Sequence, residues 1–173
     1  MIPNNAMLCC LTFFLVSASL YAEQNSALSD FKVSVYKDSP GVKSLLSGNH
    51  SEAIHLASKW VRIDPFPSHM TLCASNLKEA NIEQAEKHCH AALRESKKGQ
   101  TSWLRPSRKQ TRKQRAMALS NLGILAVLLG DEEKATHRFR TAVSLDPDNQ
   151  SAKYNLAVKE ANEPRMAQGQ QIH

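Results

Sequence analysis

The stretch AMALSNLGILAVLLGDEEKATHRFRTAVSLDPDN, residues 116–149, decides the fold of this chain. Apolar and small residues recur at helical spacing on both sides of Gly130-Asp131, at Leu119, Leu122, Leu125 and Ala126 before it and at Ala135, Phe139, Ala142 and Val143 after it. Gly130-Asp131 is typical of a tight turn, and Asp146-Pro147 is typical of a helix end. The stretch therefore predicts two short amphipathic helices joined by a turn.

This helix pair resembles a tetratricopeptide repeat (TPR), a family in which small residues let two helices approach closely. The matching positions are Leu122, Gly123, Ala135, Ala142, Leu145 and Pro147. The resemblance implies an all-α, right-handed helical solenoid. It also implies a binding scaffold, since TPR arrays rarely perform catalysis.

Weaker copies of the repeat precede the clear one. GNHSEAIHLASKWVRIDP (48–65) resembles a turn and second helix, and residues 70–96 resemble a full helix pair turning at Asn81. The small positions Ala53 and Ala85 are 32 residues apart, but Ala85 and Ala135 are 50 apart. Because one TPR period is about 34 residues, the second spacing predicts an insertion of about 16 residues. We expect repeats at about 40–65, 66–99 and 116–149, with a basic insertion at 100–115.

The remaining segments complete the expected domain organisation. Residues 150–162 predict an amphipathic capping helix, which a solenoid needs to cover its last stacking face. The TPR domain then spans 40–162, with a disordered tail at 163–173. Residues 23–39 are expected to be partly extended or disordered, because they contain the alternating run Phe31–Val35.

The first 22 residues resemble a secretory signal peptide. Ala6 to Ala22 carries no charge and includes the apolar run LCCLTFFLV, which is too short to span a bilayer. We expect cleavage after Ala22, with Ala18 as the second choice and an uncleaved membrane anchor as the alternative. The protein is then secreted across the inner membrane into the periplasm, and it resembles small exported TPR proteins of Gram-negative bacteria.

Two of the four cysteines, Cys73 and Cys89, remain after signal cleavage. Alignment of the repeats places Cys73 at the position of Gly123 and Cys89 at that of Phe139, on antiparallel helices and level with each other. At a helix separation of about 8–10 Å, such residues can reach disulfide geometry. We predict an intramolecular Cys73–Cys89 disulfide. The chain lacks the CxxC pattern that is typical of a redox site. The remaining alternative is a zinc site that uses His69, Cys73, Cys89 and a fourth ligand.

The alignment with the family also predicts a concave peptide groove. Its lining is mostly apolar, and it would therefore prefer an apolar segment to a charged peptide tail. An alternative is that the chain's own Phe31–Val35 run occupies this surface, or that its residues are simply core. The predicted groove residues are Met70, Ala74, Leu77, Lys78, Ser120, Ile124, Val127, Leu128, Tyr154 and Val158.

The net charge of +6 comes from one basic region, residues 97–115, which contains no Asp or Glu. Five of its cations follow the spacing of one helix face, with Pro106-Ser107 as a plausible start. The face is either a solvated helix extension or a docking strip for an acidic protein, an anionic lipid or a cell-wall polymer. Peripheral membrane contact fits the second alternative, whereas an exported protein is not expected to meet nucleic acid. The five cations are Arg105, Arg108, Lys109, Arg112 and Lys113.

The chain contains no residue pattern typical of catalysis. His55 and His137 lack a nearby nucleophile or carboxylate pattern, and no glycine-rich phosphate loop is present. We therefore expect a non-catalytic scaffold or adaptor for a protein or peptide partner, acting in envelope assembly or secretion. We expect no enzyme activity, no cofactor and no metal. The alternative function is binding of an anionic partner through the basic helix face 105–115.

Overall fold

A computed structural model describes residues 30–98 and 106–162 of the chain. This part is all-helical, with seven helices and no strand within the described residues. The signal peptide predicted at 1–22 and the tail at 163–173 lie outside the described residues. The helices are α1 (Val42–Leu46), α2 (His50–Trp60), α3 (Pro65–Lys78), α4 (Ile82–Lys98), α5 (Arg108–Leu128), α6 (Glu132–Leu145) and α7 (Gln150–Asn162).

Three helix pairs, α1/α2, α3/α4 and α5/α6, are joined by the same type of turn. In each turn one residue has a positive φ, at Gly48 (83°), Ala80 (53°) and Gly130 (72°). Its N–H donates to the carbonyl three residues back, and the next N–H donates to the carbonyl five residues back. These two bonds define a Schellman motif, which satisfies the last carbonyls of the first helix. The recurrence shows that the three pairs are structural repeats.

The residue after each turn starts the second helix. The side chains of Asn49, Asn81 and Asp131 accept a hydrogen bond from the main-chain N–H three residues later. Such N-caps satisfy amides that would otherwise lack a partner. Four residues after each cap comes a fully buried alanine, at Ala53, Ala85 and Ala135. The small positions expected from the sequence are therefore confirmed as sites of close helix packing.

The first helix of each pair contacts the first helix of the next, so that α1, α3, α5 and α7 form a continuous row. We call this the inner row. The helices α3 and α5 are buried on almost all sides, from Phe66 to Leu77 apart from His69 and from Ser120 to Ala126. The second helices cover one side of the row. Residues 31–36, which form neither helix nor strand, cover the other side.

The helix α5 begins inside the segment expected to be an insertion. Ser107 caps it by accepting a hydrogen bond from the Gln110 N–H at 3.1 Å, and the helix runs from Arg108. The predicted helix start at Pro106-Ser107 is confirmed. Residues 108–115 thus extend the first helix of the third pair by about two turns.

Candidate functional site

The predicted groove residues lie on the inner row, but most of them are not free. Met70, Ala74, Leu77, Ser120, Ile124 and Leu128 are buried, whereas Lys78, Val127 and Val158 are half-buried and Tyr154 is 40% exposed. They are covered by residues 31–36 of the same chain, which we call the strap. The sequence left open whether the run Phe31–Val35 occupies this surface, and the structure places it there.

Two asparagine side chains hold the strap by its main chain. The amide of Asn155 on α7 accepts from the Lys32 N–H at 2.8 Å and donates to the Lys32 carbonyl at 2.9 Å. The amide of Asn121 on α5 does the same for Ser34, at 2.7 Å and 2.9 Å. Both asparagines are fully buried. Because these bonds involve only the main chain of the strap, they are independent of its side-chain identity.

Along the strap, residues that pack through their side chains alternate with the two residues that the asparagines hold by the main chain. Phe31 stacks on Phe139 with ring centroids 5.9 Å apart and joins the cluster that contains Leu77, Ile124 and Leu128. Val33 and Val35 pack against the cluster formed by Leu45, Ala53 and Ala74. This alternation is the pattern of an extended chain, in which successive side chains point to opposite sides.

The two ends of the strap make side-chain contacts of their own. Lys32 Nζ lies 4.0 Å from the centroid of the Tyr154 ring, which is cation–π geometry. At the other end, Tyr36 packs edge-on against Phe66 and its hydroxyl accepts from Gln110 at 2.9 Å. The strap therefore crosses the inner row from α7 to α3.

The residues that hold the strap follow the repeat. Asn121 and Asn155 are 34 residues apart, which places them at equivalent positions on successive inner helices. Thr71 occupies the same position on α3, and its hydroxyl lies 2.7 Å from that of Ser39 just beyond the strap. The sequence interpretation named their neighbours Ser120 and Tyr154 but missed both asparagines. Two asparagines one period apart on apolar helices were the available signal.

The predicted disulfide is confirmed. Cys73 on α3 and Cys89 on α4 are bonded, with a Cα–Cα distance of 4.8 Å and a sequence separation of 16. Closing a loop of this length stabilises the fold by roughly 3 kcal/mol on the chain-entropy model. Both sulfur atoms are used in this bond, so the alternative of a zinc site with two cysteine ligands is wrong. The described residues contain no group of three or more metal-ligating side chains.

Two histidines lie beside the disulfide. His69 Nδ1 and His88 Nδ1 are 3.1 Å apart, so one ring donates its proton to the other. Burial lowers the pKa of His88 to about 4, with a smaller contribution from neighbouring His69. The pKa of His69 is also lowered, chiefly by burial. Both rings are therefore neutral near pH 7 and link α3 to α4.

The predicted basic stripe is only partly available for binding. Arg112 donates from its guanidinium to the carbonyls of Leu145 and Ser144, at 3.1 and 3.3 Å, and so caps the C-terminus of α6. Arg108 and Lys109 are exposed and Lys113 is half-buried, whereas Arg105 lies outside the described residues. Cations favour a helix C-terminus because of its partial negative charge. Binding of an anionic partner stays a prediction for the other cations of the stripe.

A cleft of about 900 Å³ lies beyond the Phe31 end of the strap. Phe31 and Val127 form its apolar part, and Arg140 and His137 lie on its polar side. The largely buried Lys159 forms a salt bridge with Glu132 in its wall. The cleft thus adjoins the first residue of the strap, Phe31.

No protein-family model matches the chain, and no curated protein matches it either. Within the described residues, no helix is both long enough and apolar enough to cross a bilayer.

Proposed function

We propose that the protein is a non-catalytic scaffold with a TPR-like right-handed solenoid that binds an extended segment of a protein partner. Three helix pairs with the same Schellman turn, a continuous row of first helices and the additional helix α7 support this architecture. In this proposal α7 is the capping helix that closes the last repeat.

The observation that carries the proposal is the hydrogen bonding of Asn121 and Asn155 to the strap. A buried amide that bonds both the N–H and the carbonyl of one residue holds an extended chain without reading its side chains. Buried polar side chains with these partners cost less than unpaired ones, but apolar residues would serve a simple core better. Their presence at equivalent helix positions favours a surface built to hold extended polypeptide.

We place the protein in the bacterial periplasm, in envelope assembly or secretion. The Cys73–Cys89 disulfide supports an oxidising compartment, because glutathione and thioredoxin keep most cytosolic thiols reduced. The signal-like first 22 residues support export. In the alternative, the same N-terminus anchors the protein to the membrane with the helical domain on the outer side.

Site-specific photo-cross-linking in living cells tests this proposal. A photoreactive residue at the partly exposed Tyr154, next to the strap, is expected to give a discrete adduct with an envelope protein. Trp60 on α2 is the matched control, since it is also a partly exposed aromatic residue but lies on a second helix. Equal labelling at both positions, or none at Tyr154, would contradict the scaffold proposal. Fractionation of the same cells tests the compartment.

A further inference from the structure

We propose that the strap, residues 31–36, is a built-in ligand that a partner peptide displaces. The partner segment has the strap's own chemistry: an aromatic residue, a cation, an aliphatic residue, a small residue, an aliphatic residue and a second aromatic residue. The inference rests on the proposed scaffold function and specifies its ligand and its regulation. The strap thereby inhibits the scaffold until a better-fitting segment replaces it.

The hydrogen bonds of the strap are those of a ligand. Within the described residues, the main-chain groups of Lys32 and Ser34 bond only to asparagine side chains, and no main-chain group of the helices pairs with them. A peptide in trans can make the same four bonds. The helices keep their own main-chain hydrogen bonds in either case, because the asparagine amides and not the helix backbone hold the strap.

The side-chain contacts specify which peptide fits. The first position stacks on Phe139, and the second places a cation over Tyr154. The third and fifth positions fill the apolar contacts now made by Val33 and Val35.

The fourth position requires a small residue. Ser34 is only 3% exposed, so a larger side chain would have to displace buried neighbours. Its hydroxyl is buried without a hydrogen-bond partner, so the site selects for size and not for the hydroxyl. Alanine in a partner would therefore fit as well as serine.

Displacement has a defined energetic requirement. The strap is joined to α1 through the exposed turn at Lys37 and Asp38, so it competes as a tethered ligand at an effective concentration on the order of mM. A partner with identical contacts would lose this competition. Among the described residues a cleft adjoins Phe31, and additional partner residues before the aromatic position would supply the extra contacts there.

The test uses the full chain with Ser34→Pro. Proline removes the N–H that donates to Asn121 and places its ring against the amide oxygen, while keeping the extended conformation. A labelled peptide of residues 30–37 is then titrated and followed by fluorescence anisotropy. We expect at least tenfold tighter binding to Ser34→Pro than to the wild type. Ser34→Ala is the matched control, because it keeps the N–H, and it should behave like the wild type.

Two further measurements identify the site. In the Ser34→Pro background, Asn121→Leu should weaken binding of the peptide at least tenfold. A peptide with proline in place of Ser34 should not bind. If Ser34→Pro fails to fold, Phe31→Ala weakens the strap instead by removing the stack on Phe139. Binding of the peptide to that variant, and not to the wild type, supports the proposal in the same way.

The proposal is overturned if a variant with wild-type helix content and a weakened strap does not bind the peptide. It is also overturned if that variant forms a dimer by exchanging straps, because the occupant would then be a second copy. A failed peptide titration with a retained cross-link at Tyr154 would remove the displacement model and leave the scaffold function. Peptide binding without any cross-linked partner would contradict the scaffold function and leave the displaceable strap.

Discussion

The side-chain amide of Asn121 forms a closed pair of hydrogen bonds with the main chain of Ser34, 87 residues earlier in the sequence. Its oxygen accepts from the Ser34 N–H at 2.7 Å, and its nitrogen donates to the Ser34 carbonyl at 2.9 Å. The amide thus takes the place of a neighbouring β-strand. This is how the main-chain N–H and carbonyl of a residue in an irregular segment can be paired where the segment lies against buried helices.

Replacing this amide should destabilise the protein strongly. Asn121→Leu leaves a buried N–H and a buried carbonyl of Ser34 without partners, at a cost of roughly 2–4 kcal/mol. Urea unfolding measures the free energy. Asn155→Leu is the matched control. Its strap partner Lys32 is exposed, so water can replace those two bonds, and only the longer 3.3 Å bond to Ser120 Oγ is lost from the interior. The loss should therefore be smaller. An equal or greater loss at Asn155 would contradict this ranking.

The absence of a side chain at Gly123 should be essential to the third helix pair. A Cβ at this position would lie 2.7 Å from Cδ1 of Phe139, a ring that is fully buried and stacked on Phe31. Because moving a ring that is buried and stacked on Phe31 is unfavourable, we expect Gly123→Ala to cost about 1–3 kcal/mol despite the better helix propensity of alanine. Thermal or urea unfolding measures the loss.

A double-mutant cycle identifies the cause of that loss. Phe139→Leu alone should destabilise the core, because it removes the stack on Phe31. In the Phe139→Leu background, however, Gly123→Ala should cost less than it does in the wild type. Equal costs in the two backgrounds would show that the close contact with the ring is not responsible.

Local and periodic features of the fold could be predicted from the sequence, whereas the strap contacts could not. The turn at Gly130 is clear in the sequence, and aligning the weaker repeats on it locates their turns. The offset of 50 residues that relates Cys73 to Gly123 also relates Cys89 to Phe139, which placed the two cysteines opposite each other. In the middle pair a disulfide thus occupies the position of the Gly123–Phe139 contact.

Contacts between distant segments gave no comparable signal. Ser34 and Asn121 show no shared periodicity, and an alternating run of residues predicts an extended chain without predicting what it covers. The capping of α6 by Arg112 could not be predicted either. The sequence shows this arginine as one cation of a stripe, and its acceptors are main-chain carbonyls, which no residue type identifies. The residues predicted to line a groove lie on the inner row of helices, and their coverage by the strap was only one of the alternatives that the sequence left open.

The turn at Ala80 should be open to stabilisation. Its φ of 53° lies in the left-handed region, where a Cβ is unfavourable, while the equivalent turns have glycine. We expect Ala80→Gly to raise the free energy of unfolding by about 0.5–1 kcal/mol, after the entropy that glycine gains in the unfolded chain is subtracted.

Gly130→Ala is the matched reverse substitution. Its Cβ would meet no atom within 4 Å, so any loss reports the backbone conformation alone. Urea unfolding of both variants compares the two turns directly. A loss of stability in Ala80→Gly would show that the turn of the middle pair is not limited by its left-handed residue.

The histidine pair should make stability depend on pH. In the folded protein the pKa of His88 is lowered from its usual 6.5 to about 4, mainly by burial. Above pH 6.5 the ring is neutral in both states and contributes nothing. As the pH falls from 6.5 to about 4, the unfolded chain binds a proton that the folded protein does not, so stability decreases. His69 acts in the same direction, because its pKa is also lowered by burial.

His88→Gln removes this titration and keeps a polar neighbour for His69. Unfolding free energies at about pH 7 and about pH 5 should differ less in the variant than in the wild type. The difference should stay below the limit of about 1.4 kcal/mol per pH unit for one proton, since the ring is only half-buried. His55→Gln, at an exposed position on α2, is the control for the substitution itself. If His88→Gln kept the wild-type dependence, carboxylates and not the histidine pair would cause the acid sensitivity.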